Sequence, residues 1–167
     1  MTKPTQQPPI KKPHAHYTIH VSPQVRKFML KNFAHYNGVF RTEEWSTLGS
    51  LVTLCLIDNR AWKDRHLTDD YLKENETQKI IVELTTAQMK MTPRIFKLPR
   101  INTEINRLFK EHMVTWIRSQ YEIGVSAHQA CRSFLEYYNL DPDGKEYNLD
   151  NAYKAWQRSK KSNETEL

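Results

Sequence analysis

Three histidines, His14, His16 and His20, stand close enough together to raise the question of a metal centre. On an extended segment His16 and His20 share a face. A zinc site needs further ligands and a supporting shell behind them, yet the first acid of the chain is Glu43. No metal is expected there. Cys55 and Cys131 are far apart, neither has a CxxC partner, and each falls on the apolar stripe of a helix-like segment. They read as buried thiols rather than as ligands or a disulfide. The acid pairs Glu43-Glu44 and Asp69-Asp70 lack helical spacing to a histidine or a third acid, so they read as solvated surface. There is no GxGxxG, Walker A, GxSxG or HExxH pattern. Four glycines leave little from which to build a phosphate-cradling loop. The expectation is a binding protein, not an enzyme, with no cofactor.

Charge points to the kind of partner. The net charge is +6 over 167 residues, and its distribution is uneven. Residues 1–42 contain Lys3, Lys11, Lys12, Arg26, Lys27, Lys31 and Arg41 and no acid at all. Residues 86–118 form a second basic block. Lys154, Arg158, Lys160 and Lys161 form a third, and acidic stretches separate the three. If folding gathers these blocks on one surface, an anionic polymer would bind there by counterion release. No apolar run approaches the roughly 18 residues of a membrane span, and the Pro- and Gln-rich start lacks the apolar core of a signal peptide. A cytoplasmic protein with no membrane partner is expected.

Residues 1–15 hold four prolines and little to bury, which suits a flexible basic arm. One globular domain is expected over 16–161, with a short tail at 162–167. "HYTIHV" alternates as a strand does, with Tyr17, Ile19 and Val21 on one face and His16, Thr18 and His20 on the other. Ser22-Pro23 then predicts a helix start, with Val25, Phe28, Met29 and Phe33 as its buried stripe. Asn37-Gly38 predicts a turn. Thr42 is placed to cap a strongly apolar helix carrying Trp45, Leu48, Leu51, Val52, Cys55 and Leu56, central to the core or to a dimer interface. A loop is expected over 58–79, a strand in "KIIVELT", and a basic connector in "MTPRIFKLPRIN". Asn102 is placed to cap a long helix to about Tyr121, and Ser126 with Gln129 forms a capping box for the next. Asn148 caps the last. The fold expected is α+β, predominantly α-helical, with five or six helices and about two short strands.

Two resemblances follow. Residues 16–58, a strand, a basic helix, a turn and an apolar helix, resemble the ribbon-helix-helix DNA-binding proteins. That resemblance implies a dimer whose paired strands enter the major groove, with His16, Thr18 and His20 outward and Arg26, Lys27 and Lys31 close by. The same order also suits an ordinary strand–helix unit opening an α+β domain. Residues 126–161 resemble a helix-turn-helix with 148–161 as recognition helix. Asn151, Lys154, Arg158 and Lys161 recur three or four apart on one face, largely opposite Leu149, Ala152, Tyr153 and Trp156. The layout is similar to small DNA-associated proteins of phages and mobile elements.

The function expected is DNA binding, as a homodimer, of regulatory or accessory type. One contact zone would comprise His16, Thr18, His20, Arg26, Lys27 and Lys31. A second would comprise Asn151, Lys154, Arg158 and Lys161. The competing expectation is a non-catalytic phage structural or accessory subunit that meets an acidic partner. RNA ranks behind DNA, because no RRM signature is present.

Overall fold

The Ser22-Pro23 step divides two kinds of local structure. In the computed structural model, strand β1 (Ala15–Val21) ends there and helix α1 (Pro23–Asn32) begins. The structure describes residues 15–43, 45–57, 78–91, 98–144 and 147–165. The basic arm over 1–14, most of the expected loop, and residues 92–97 of the connector lie outside these. Pro23 suits the first helical turn because its ring presets φ and no N–H is needed. Ser22 takes the extended backbone of an N-cap, but its hydroxyl makes no capping bond and is buried unpaired.

Asn37 and Gly38 both have positive φ, 50° and 78°. These are the left-handed values a two-residue hairpin turn requires. They join β2 (His35–Tyr36) to β3 (Val39–Arg41), strands too short to leave an alternation pattern in the sequence. The last strand, β4 (Gln78–Leu84), enters the middle of the sheet, giving the order β1-β4-β3-β2. It runs antiparallel to β1 and parallel to β3. Ile19, Val21, Phe40, Ile80, Val82 and Leu84 are buried on one face, as period-two alternation demands. The strand–helix–helix order expected over 16–58 is not met. The β2–β3 hairpin stands between the helices, and β1 is paired along its length with β4 of the same chain.

Helix α2 (Thr47–Ile57) starts later than Thr42. Thr42 instead extends the β3 side of the sheet: its N–H and hydroxyl both donate to the Glu83 carbonyl, at 3.2 and 2.7 Å. Ser46 does the capping, accepting the Gly49 N–H at 2.9 Å. Trp45 therefore falls outside the helix and is 84% exposed. The short helix α3 (Thr86–Met91) contributes Gln88, a buried amide that ties three elements together. Its amide nitrogen donates to the Thr42 carbonyl and the Thr53 hydroxyl, and the Gly49 carbonyl lies 3.3 Å away. Its oxygen accepts from the Thr85 N–H and lies beside the Thr42 hydroxyl. Hydrogen bonds to a buried polar group offset its desolvation and orient its neighbours.

Helix α4 (Leu98–Glu122) begins before Asn102, with Pro99 in its first turn, where a proline costs no intrahelical hydrogen bond. Asn102 is then an interior residue, buried, with its side-chain oxygen accepting from Asn106 at 2.8 Å. Helix α5 (Ala127–Tyr137) is capped as expected by Ser126, which accepts the Gln129 N–H at 3.3 Å. It ends in a Schellman motif. Asn139 sits at φ 53°, the Leu140 N–H donates to Leu135 and the Asn139 N–H to Glu136. Helix α6 (Leu149–Thr165) is capped by Asn148, whose side chain accepts the Asn151 N–H at 3.1 Å. The α5–α6 connection is longer than the 3–4 residues of a helix-turn-helix. It carries its own bonds, Asp143 N–H to the Asp141 carboxylate and Leu149 N–H to the Pro142 carbonyl.

Helices α1 and α4 lie against the apolar face of the sheet, and α5 and α6 pack on α4. An aromatic cluster fills the junction. The Phe28 ring lies 5.6 Å from Phe109 and 5.8 Å from Tyr138, and Phe134 lies 4.8 Å from Tyr138. Cys55 and Cys131 are buried thiols not joined in a disulfide, and burial pushes Cys131 up to about 11. The architecture is α+β and mostly helical, six helices and four strands among the described residues. No helix among these residues is long and apolar enough to cross a membrane.

Candidate nucleic-acid interface

The expected contact residues fall in three places. On β1, His16 and Thr18 are exposed and His20 is half-buried, all on the sheet face away from the helices. Arg26, Lys27 and Lys31 belong to α1, which covers the opposite face through Val25, Phe28 and Met29. The six residues assigned to one zone therefore do not share a surface. Strand alternation sends the β1 set outward, while the helix that follows must fold back to bury its apolar stripe.

Two of the α1 cations serve the fold. Lys27 donates to the Asn139 carbonyl at 2.7 Å and Lys31 to the Tyr137 carbonyl. The Lys31 ammonium also lies 3.4 Å from the centre of the Tyr137 ring. These lysines satisfy carbonyls at the α5 C-terminus, where the helix dipole favours cations. The sequence holds no local sign of this, because the partners lie more than a hundred residues away.

Helix α6 keeps its expected division. Ala152 and Trp156 are buried, with Tyr153 and Leu149 partly so. The His128 ring stacks on Tyr153 at 4.3 Å, and Tyr121 meets Trp156 at 6.0 Å. On the other side Asn151, Lys154, Arg158 and Lys161 are exposed. Lys154 is bound to Asp150 one turn earlier at 2.6 Å. Within the middle basic block, Arg107 on α4 is held by Glu104 at 2.9 Å and Glu111 at 3.5 Å. No group of His, Cys, Asp and Glu among the described residues could hold a metal ion.

Comparison with protein families, curated proteins and solved structures finds no match to this chain. What α6 can do must be read from its own chemistry. It presents long, flexible donors from one face and is fixed from behind by aromatic packing. That arrangement can bind phosphate oxygens and reach base edges.

A histidine sits inside the aromatic cluster, between α1 and α5. His112 Nε2 lies 2.8 Å from the Tyr138 hydroxyl, which accepts from Asn32 at 2.9 Å. Phe28 and Phe134 flank the ring at 5.4 and 6.1 Å. Burial holds His112 below its ordinary value of 6.5. The unfolded chain thus binds this proton more readily than the folded one, so stability is full above about 6.5 and is lost as pH falls toward the folded value. Thermal melts from about pH 7.5 to about pH 5, where histidines titrate, should show the wild type losing more than His112→Phe. Parallel losses would contradict this.

Proposed function

We propose that this protein binds DNA through the outward face of α6, in a regulatory or accessory role. The observation that carries the reading is the division of that helix. Ala152 and Trp156 are buried, while Asn151, Lys154, Arg158 and Lys161 are exposed on one side. A helix that enters a major groove needs such a division, an apolar side to dock it and a long-armed polar side to reach the phosphates and bases. Lys154, Arg158 and Lys161 are the phosphate-contacting residues, and Asn151 is the candidate for a base edge. The net charge of +6 supports the same partner.

The strand residues His16, Thr18 and His20 are not part of this contact, because they face away from the helical layer. The test is a mobility-shift titration of the full chain on duplex DNA across a salt series. Affinity falling steeply and linearly in log salt supports the reading. Affinity independent of salt overturns it and favours the alternative of a non-catalytic structural or accessory subunit.

A further inference from the structure

Helices α1 and α4 pack on the apolar face of the sheet, while on the other face His16, Thr18, Tyr36, Arg41, Lys79 and Ile81 are exposed. The register aligns a row across all four strands of that open face. Tyr36 pairs with Val39, Val39 with Ile81, and Ile81 with Thr18. Tyr36 is 71% exposed and Ile81 37%. Cations and rings flank the row. Lys79 and His20 are paired on one side, while Arg41, Glu83 and His16 form the next row on the other. Glu83 is the only acid on the described part of this face, and it lies 3.8 Å from Arg41.

We propose that this face is a platform for single-stranded nucleic acid. Neighbouring strands lie roughly 4.8 Å apart, so the row extends roughly 14 Å. That length suits the two or three bases that a four-stranded sheet can stack. Tyr36 offers the stacking ring at the edge of the sheet. Val39 and Ile81 offer a flat apolar floor, and Lys79 and Arg41 lie to either side, where a phosphate backbone would run. Charge complementarity selects the occupant: the cations Lys79 and Arg41 on either side of the row suit a phosphate backbone, and the ring and floor between them suit its unpaired bases. The surface is independent of α6 and of the duplex reading, because it lies on the far side of the sheet.

The experiment is fluorescence anisotropy with labelled oligo-dT and oligo-U, using the full chain. A duplex serves as a second probe. Tyr36→Ala should weaken single-strand binding about tenfold, in line with the loss of one stacked base, while Tyr36→Phe retains it. Lys79→Ala should flatten the salt slope by roughly 0.7. All three variants should bind duplex as the wild type does, and their melting temperatures should match it because both positions are exposed. The two oligonucleotides separate RNA from DNA as the source of the strand. Absence of single-strand binding by the wild type overturns the proposal, as does equal affinity in Tyr36→Ala. Either result leaves the duplex reading standing.

Discussion

Alanine at position 49 is expected to lower the melting temperature by roughly 6–12 °C. Gly49 is buried in the first turn of α2, where the chain folds back on itself. A Cβ there would stand 1.9 Å from the Glu43 carbonyl oxygen and 2.6 Å from its carbon. Both are backbone atoms, so no side-chain rotation relieves the clash. The segment is also held from three sides. Ser46 bonds to both Glu43 and Gly49, and the Gln88 amide reaches the Gly49 carbonyl. Overpacking at a site that cannot relax costs about 3 kcal/mol or more. For a domain of this size, each kcal/mol moves the melting temperature by about 2–4 °C. The gain in helix propensity from glycine to alanine, about 1 kcal/mol, is smaller than the clash. Calorimetry or a circular-dichroism melt of Gly49→Ala checks the result, and unchanged stability would contradict it.

The second large effect concerns function. Changing Lys154, Arg158 and Lys161 together to alanine should lower affinity for duplex DNA on the order of a hundredfold at about 0.1 M salt. Each phosphate contact contributes about 0.9 to the slope of log affinity against log salt, so the slope should become shallower by roughly two to three. The lower figure allows for Lys154, whose ion pair with Asp150 already offsets part of its charge. Fold stability should change little, because all three side chains are exposed and the docking face of Ala152 and Trp156 is untouched. Unchanged affinity in a folded triple variant would remove α6 from the contact surface.

Where local pattern decided the structure, the sequence was legible. The alternation of Ile80, Val82 and Leu84 marked β4, and Ser126 and Asn148 marked the starts of α5 and α6. Val25, Phe28 and Met29 are buried on α1 as their spacing requires. What was illegible depended on distant partners. Thr42 is a plausible helix cap on its own, and only the parallel alignment of β3 with β4 turns its donors toward Glu83. Lys27 and Lys31 look like any surface cations until α5 brings its carbonyls to them. The grouping of His16 with Lys31 failed because the strand and the helix that follows it face opposite ways. The row from Tyr36 to Thr18 depends on the register of four strands, two of them too short to recognise.

The most direct measurement is amide chemical-shift mapping of the full chain titrated with duplex DNA. Binding through α6 predicts the largest changes over residues 150–161, centred on Lys154 and Arg158, with the outer strand residues Thr18 and Ile81 unmoved. Shifts confined to other elements, with α6 silent at saturating duplex, would contradict the account.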